Sequence, residues 1–259
     1  GIQPPDLPGV VAAIDAAGGI DIAGIWSHLA DGADPIRSAE QVRAYEAALA
    51  SIAATGRPLP PRHISATEGV FAATGPAYDM VRIGLGFYGT LGLGVEPAPA
   101  LAALAAELRP AMTVAARPAR LEWLPAGSPV GYGGEWVAQR PSLIATLPIG
   151  YADGWTRQYW PGASALVRGR RIPLVGRVSM DSVCADATDV AADGELGLDD
   201  VFVLLGSQGA ERITPDELAS IRGSLPYEVF CAFGPRLGRA TVGATPTDPR
   251  LARPRRRRA

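Results

Sequence analysis

The sequence predicts an α/β plus β protein: the C-terminal part of a (β/α)8 TIM-like barrel followed by a mostly antiparallel β domain. Residues 1–96 alternate helix-like and strand-like segments at the spacing of parallel β/α units. From residue 112 onward the helical periodicity largely stops, and Gly, Pro and Asp turns separate short β-rich runs. The 259 residues are 47% hydrophobic, which is enough for real cores.

The first region supplies about three of the eight β/α units of such a barrel. Segments 9–19 and 38–56 are predicted helices because each shows helical periodicity and ends at a glycine, and Ser38 is the expected N-cap of the second. A closed barrel takes roughly 250 residues, so this region is expected to be the last third of one. The predicted strands are 21–30, 59–67 and 78–89, the last running into a turn.

The rest of the chain divides into three predicted parts. Residues 97–111 form an Ala-rich connecting segment that we expect to be helical at the edge of a domain. Residues 112–245 form the β domain, with one helix over 214–223 that begins with Thr at the N-cap and Pro at the first position. The Arg-rich tail, 246–259, is expected to be solvated, with an electrostatic tether as the alternative.

Composition and charge exclude several classes of function. A formal net charge of −2 gives no global field that would attract nucleic acid or an anionic membrane. The sequence has no uncharged apolar stretch of about 18 residues and no signal-peptide pattern, which indicates a cytoplasmic protein. Cys184 and Cys231 lack metal-ligand spacing, so we expect reduced thiols and no metal site.

Lysine is missing from the sequence altogether. All 24 residues counted as Lys or Arg are arginine. A GC-rich coding bias replaces surface lysine by arginine without functional meaning, but it would spare a lysine that chemistry requires. The sequence therefore offers no lysine amine for catalysis.

Polar residues follow the predicted barrel strands, at the ends where such barrels place their sites. They are His28, Thr67, and Arg82 with Gly84 two residues later. Each has an ordinary alternative: a structural histidine, a helix N-cap, and a turn with a salt-bridged arginine. A hydroxyl together with glycine amides would also suit a phosphate group.

Tyr132 lies among glycines in "GSPVGYGGEW", residues 127–136. Glycine is used where backbone turns sharply or approaches another group closely, so the ring is expected to be presented rather than buried. A tight hairpin is the alternative for this segment. Likewise, "SMD" at 179–181 could be a turn with a buried methionine, and "PYE" at 226–228 an aromatic core contact.

Seven segments, taken in order, carry a resemblance to a known family. They are "HLADGADP", "RHISATEG", "MVRIGLGFYG", "VGYGGEW", "IGYADGWTR", "LVGRVSMDSV" and "LPYEVFCAFGPRLGR". Together they resemble the successive motifs of alanine racemases, pyridoxal-phosphate enzymes with a barrel and a β domain. The resemblance covers residues 1–242. It implies a homodimeric isomerase that interconverts L- and D-alanine and supplies D-alanine for peptidoglycan of the cell wall.

The resemblance also implies a pyridoxal 5′-phosphate site. Arg82 matches the arginine that faces the pyridine nitrogen, where a permanently protonated guanidinium leaves that nitrogen unprotonated. His28 matches the histidine that is near the ring and bonded to this arginine. The positions that match the phosphate-holding residues are Thr67, Gly84, Leu85 and Tyr227.

Further positions match residues that face the substrate. Tyr132 corresponds to the family's tyrosine base, which exchanges a proton with Cα on one face and needs positive neighbours, for which His28 and Arg82 are available. In the family this tyrosine crosses a dimer interface, together with the pair that here reads Met180 and Asp181. Tyr151 matches a tyrosine at the entrance of the active site.

The chain departs from the family pattern at two places. The usual Asn-Ser-Ala reads Ala66, Thr67 and Glu68, and a carboxylate beside a phosphate should weaken its binding unless it points away. The family's Schiff-base lysine, which is also the second base, lies in a segment with no counterpart here. We therefore expect racemisation by two-base proton transfer on pyridoxal phosphate to need a missing N-terminal part. The alternative is a non-catalytic, degenerate relative acting as a dimerising interaction module, and alanine against serine stays open.

Overall fold

The computed structural model describes residues 1–242, with most of the long helices in the first half and most of the strands in the second. The predicted tail at 246–259, and residues 243–245 of the predicted β domain, lie outside the described residues. The helices are α1 (Leu7–Ala17), α2 (Pro35–Ala53), α3 (Thr67–Phe71), α4 (Ala102–Ala106), α5 (Thr188–Ala191), α6 (Pro215–Arg222) and α7 (Pro226–Ala232). The strands are β1 (Ile25–Trp26), β2 (Arg62–His63), β3 (Val114–Ala116), β4 (Arg120–Leu124), β5 (Pro129–Val130), β6 (Trp136–Val137), β7 (Ser142–Leu147), β8 (Ser164–Val167), β9 (Arg170–Val175), β10 (Val183–Asp186), β11 (Phe202–Gln208) and β12 (Glu211–Ile213).

The first region contains short parallel strands. β1 pairs in parallel with β2, which sets Trp26 opposite His63, and a parallel bridge joins Ala66 to Arg82. The predicted parallel arrangement is present, but the strands are much shorter than predicted, and the described residues contain no closed barrel. Prolines at positions 58, 60 and 61 explain part of this, because proline cannot donate to a strand ladder.

Helix α2 packs across this parallel pair. Its side chains Tyr45 and Leu49 form a buried cluster with Leu29 and Ile64. The prediction that Ser38 is its N-cap is wrong. The cap is Asp34, whose carboxylate accepts from the amides of residues 36 and 37 over 2.8 and 3.1 Å. Aspartate followed by proline is the stronger helix start.

The second region is built on one large antiparallel sheet. Within residues 1–242 its strand order is β12, β11, β8, β9, β10, β7, β4, and β3 pairs with the other part of β11. Every pairing in it is antiparallel, as the sequence predicted. The core against this sheet includes the fully buried side chains Leu147, Trp155, Leu166, Phe202 and Leu204.

The helices of this region are only partly those predicted. Helix α6 begins as expected, with the Thr214 hydroxyl accepting from the Glu217 amide over 3.0 Å, and it ends at Gly223 in the left-handed conformation. The expectation of a single helix is wrong, because α5 and α7 are also present. Pro226 at the first position of α7 was the available signal. None of the helices in the described residues is long and apolar enough to cross a membrane.

Candidate active site

A cavity of about 430 Å³ lies beside the segments that follow β1 and β2. It brings together five of the side chains or backbone positions that the sequence singled out: His28, Thr67, Arg82, Gly84 and Tyr227. The cavity is also lined by residues near these in the chain, namely Ala66, Ile83 and Leu225. The predicted ligand-holding residues therefore share one site, although they are as many as 199 positions apart in the sequence.

Arg82 is held by two histidines at one side of this cavity. Its guanidinium donates to Nδ1 of His28 over 2.9 Å and also donates to Nδ1 of His63. Within residues 1–242 it forms no ion pair with a carboxylate, and it also donates to the Ser27 carbonyl over 2.9 Å. The interpretation of Arg82 as a salt-bridged turn residue is therefore wrong. Since arginine can only donate, both imidazoles accept through Nδ1.

His63 is a partner of Arg82 at this site that the sequence motifs did not indicate. Burial, and then the positive charge of Arg82, lower the pKa of its imidazole below the ordinary value of 6.5. Its ring stacks on Trp26, with centroids 6.0 Å apart, and the Arg82 guanidinium lies 5.0 Å from the Trp26 centroid. The available signal for His63 was its position directly after Arg62, in the predicted strand segment that also contains Thr67.

Thr67 binds the glycine backbone at the other side of the cavity. It is buried at the first position of α3, and its hydroxyl accepts from the amides of Gly84 and Gly86 over 3.2 Å each. Its N-cap interpretation is wrong, because Ala66 occupies the cap. Leu85, between these glycines, has a buried side chain and does not line the cavity. Because the Thr67 oxygen accepts from both amides, its own hydroxyl proton can still donate, and such a donor suits a phosphate oxygen.

Tyr227 reaches this group from α7. Burial raises the pKa of its phenol, and the nearby carboxylate of Glu68 raises it further. The Tyr227 hydroxyl is therefore a protonated donor at neutral pH. Glu68 departs from the family pattern. Its carboxylate lies beside Tyr227, one of the predicted phosphate-holding residues, so it does not point away from them.

The remaining predicted residues are all exposed, and we call them together the tyrosine surface: Tyr132, Tyr151, Met180 and Asp181. None of them lines the 430 Å³ cavity. Tyr132 begins a short 3-10 turn and is 70% exposed, so it is presented, as predicted. The Tyr151 amide donates to the Ser179 carbonyl over 3.0 Å, which holds the 151 and 180 segments together.

Tyr132 joins this surface through glycine contacts. A Cβ atom on Gly131 would lie 2.7 Å from the amide nitrogen of Arg177, three residues before Met180. Arg177 in turn pairs with Glu135 on the other side of the turn. Within one described chain, the hydrogen-bond partners of His28 and Arg82 do not include Tyr132.

Ionisable clusters elsewhere do not offer a metal site. Residues 1–242 contain no group of three or more His, Cys, Asp or Glu side chains placed to hold a metal ion. Cys184 and Cys231 are both free.

Two family models match the chain. The alanine racemase N-terminal domain matches residues 1–92, and the alanine racemase C-terminal domain matches residues 111–241. The alanine racemase of Symbiobacterium thermophilum is 36% identical over 247 residues, which are 95% of this chain and 63% of that protein.

Solved structures give the same result. Alanine racemase from a D-cycloserine-producing Streptomyces lavendulae has a TM-score of 0.81 and 31% identity, covering 94% of this chain and 63% of its own. Alanine racemase from Bartonella henselae, with covalently bound pyridoxal phosphate, has a TM-score of 0.74 and 28% identity, covering 91% and 61%. The chain thus spans about three fifths of the length of these relatives. By both family models and these likenesses, the chain belongs to the alanine racemase family.

Proposed function

We propose that residues 1–259 are the part of a pyridoxal-phosphate-dependent alanine racemase that holds the ring nitrogen and phosphate and presents one base. The whole protein would interconvert L- and D-alanine and so supply D-alanine for peptidoglycan. The observation that carries the proposal is the cavity that Arg82, bound to His28, lines together with Thr67 and Gly84. A cytoplasmic location is in keeping with the two free cysteines.

The same proposal assigns the domains. Residues 1–96 would be the C-terminal part of a (β/α)8 barrel, 97–111 the connection, and 112–245 the antiparallel β domain. The parallel pairing of β1 with β2 supports the barrel assignment. The change to antiparallel pairing after residue 112 supports the boundary.

The cavity fits pyridoxal phosphate by the chemistry of its donors. At one side, the fixed guanidinium of Arg82 suits a ring nitrogen that accepts a hydrogen bond. At the other, the hydroxyls of Thr67 and Tyr227, which both line the cavity, suit a phosphate that accepts hydrogen bonds. A volume of about 430 Å³ is within the range of small-molecule sites. The bound group would supply an electron sink for the charge left when Cα loses its proton.

The residues of this chain would then act as follows. Arg82 donates to the ring nitrogen and keeps it unprotonated, because a guanidinium gives up no proton at relevant pH. His28 and His63 hold Arg82 in place without neutralising it. The phenol oxygen of Tyr132 takes or returns the proton at one face of Cα. Met180, Asp181 and Tyr151 would line the path of the amino acid.

Because Tyr132 does not line the cavity of its own chain, we propose a homodimer. In it, each subunit would place its tyrosine surface against the cavity of the other. The 70% exposure of Tyr132 and the exposure of Tyr151 and Met180 support this arrangement, since these side chains are uncovered in one chain.

The family's second base has no counterpart in residues 1–259. The sequence contains no lysine, so the family's Schiff-base lysine has no counterpart in residues 1–259. We therefore propose that racemisation needs a lysine supplied from outside this sequence. The test compares the 259-residue chain with the protein purified from its source, each with pyridoxal phosphate and L-alanine.

Racemisation by the source protein alone is the expected result. Turnover by the 259-residue chain would contradict the argument from the missing lysine. A source protein that binds neither pyridoxal phosphate nor alanine would contradict the racemase assignment and favour a non-catalytic, dimerising relative.

The role of Tyr132 has its own test. In the active protein, Tyr132→Phe should abolish solvent deuterium exchange at Cα of one alanine enantiomer far more than of the other, because each base serves one face. Tyr78→Phe is the control, since the Tyr78 hydroxyl donates to Glu46 and Tyr78 neither lines the cavity nor belongs to the tyrosine surface. Equal losses for both enantiomers would count against Tyr132 as a one-face base.

A further inference from the structure

Arg236, which follows α7, joins two carboxylates from different loops. Its Nε atom lies 3.2 Å from Oδ1 of Asp153, and its Nη2 atom donates to Oδ1 of Asp181 over 2.6 Å. The other oxygen of Asp153 accepts from the amide of Gly150 over 2.9 Å. Asp153 is 5% exposed, so its charge needs these donors.

The backbone of the same loops is in close contact. The amides of Tyr151 and Ala152 donate to the carbonyls of Ser179 and Met180, each over 3.0 Å. A Cβ atom on Gly150 would lie 2.4 Å from both of these carbonyl oxygens, so only glycine fits there. The 150–154 loop is therefore fixed directly against the 179–182 loop.

The first of these loops also contacts the end of α7. A Cβ atom on Gly154 would lie 2.3 Å from the carbonyl oxygen of Ala232, and the amide of Gly234 donates to the Asp153 carbonyl over 3.4 Å. Arg236 follows two residues later. One side chain thus spans the place where three segments meet, and these segments contain Tyr151, Asp181 and, in α7, Tyr227.

The geometry favours an arginine. Nη2 donates to Asp181 while Nε of the same planar group forms an ion pair with Asp153, whereas a lysine ammonium is a single point of charge on a flexible stem. Arg236 also offsets the negative charge of Asp181. An unpaired carboxylate there would repel the carboxylate of an amino acid.

We propose that Arg236 is a positioning residue, which sets the 150–154 and 179–182 loops relative to one another and neutralises Asp181 on the tyrosine surface. The functional part of this inference rests on the proposed racemase function. Arg236 acts through Tyr151, Met180 and Asp181, and we assign it no contact with substrate.

The first test does not depend on activity. In the 259-residue chain, Arg236→Ala should speed hydrogen exchange at the amides of Tyr151 and Ala152 by about tenfold, because the loops separate more often. Arg140→Ala is the matched control. Arg140 forms an exposed ion pair with Asp189, and its side chain is 54% exposed against 52% for Arg236. The amide of Ala145, inside β7, should keep its exchange rate in both variants.

The second test uses the active source protein. Arg236→Ala should raise KM for alanine about tenfold while kcat changes by less than about twofold, since binding and not the proton transfer is lost. Arg236→Lys should restore the charge and part of KM without restoring slow exchange at Tyr151.

The outcomes separate the two proposals. Unchanged exchange at Tyr151 and Ala152, or equal acceleration at Ala145, would overturn the positioning role even in an active racemase. Faster exchange confined to these loops would support it even if the source protein proved not to racemise alanine. A fall in kcat with KM unchanged would overturn the binding role.

Discussion

Arg82 donates a hydrogen bond to Nδ1 of His28 over 2.9 Å while the same guanidinium also donates to Nδ1 of His63. Each neutral imidazole therefore carries its proton on Nε2. Within residues 1–242 no carboxylate pairs with Arg82, so its full positive charge remains available to a ligand. Four predictions follow from this site and its surroundings.

Replacing Arg82 by methionine should raise the pKa of His63 toward its ordinary value of 6.5, because the charge of Arg82 is one of the two causes that lower it. An NMR titration of the His63 ring measures this. Arg140→Met, which removes an exposed arginine elsewhere in the chain, should leave the titration unchanged. A His63 pKa that does not rise in Arg82→Met would show that burial alone sets it.

Stability should fall as the pH drops below about 6.5. The pKa of His63 is lower in the folded chain than in the unfolded chain, so the unfolded chain takes up the proton first. The contribution is fully present above pH 6.5 and is lost as the pH falls through the folded value. Carboxylates paired with arginine, such as Asp79 and Asp200, lose their contribution to stability only at lower pH, because their pKa lies below 3.8.

Urea unfolding between pH 5 and 8 measures this dependence. His63→Gln, whose amide oxygen can still accept from Arg82, should give a flatter profile over that range. The same slope in both proteins would contradict the assignment to His63.

Replacing Glu68 by glutamine should lower the pKa of Tyr227 toward 10, because the carboxylate charge that raises it is removed while the burial remains. An NMR titration of the Tyr227 ring tests this. The same variant should bind inorganic phosphate more tightly, since like-charge repulsion is relieved. Glu40→Gln, at an exposed position of α2, is the control and should change neither quantity.

Gly150→Ala should destabilise the chain by about 1–3 kcal/mol, because the new methyl group would lie 2.4 Å from the Ser179 and Met180 carbonyl oxygens. Gly197→Ala, where no atom lies within 4 Å of the added group, should stay within about 0.5 kcal/mol of the original. Chemical denaturation of both variants compares them. Similar stabilities of the two variants would mean that the 150–154 and 179–182 loops separate without lowering the free energy of unfolding.

Sequence signals succeeded where they were local. The start of α6 at Thr214 and Pro215, and its end at Gly223, needed no information from elsewhere in the chain. The order of the motifs likewise indicated the family and the residues that share the cavity.

The rest depended on tertiary contacts. His63 is linked to the site only through Arg82, which is 19 residues away, and Glu68 acts on Tyr227 because α7 brings that phenol beside it. The separation of Tyr132 from the cavity within one chain was implied by the family resemblance, which places this tyrosine across a dimer interface, and not by any local pattern. Strand lengths were overestimated where prolines interrupt the ladder before β2.

The position of Trp26 gives the site a native optical reporter. Its indole is 62% exposed and lies against both the guanidinium of Arg82 and the ring of His63. Tryptophan emission responds to nearby charge and to the loss of surrounding water, so filling the cavity or protonating His63 would change its intensity and wavelength. The difference between the original chain and Trp26→Phe would isolate that signal from the other four tryptophans. Occupancy could then be followed in real time without any added label.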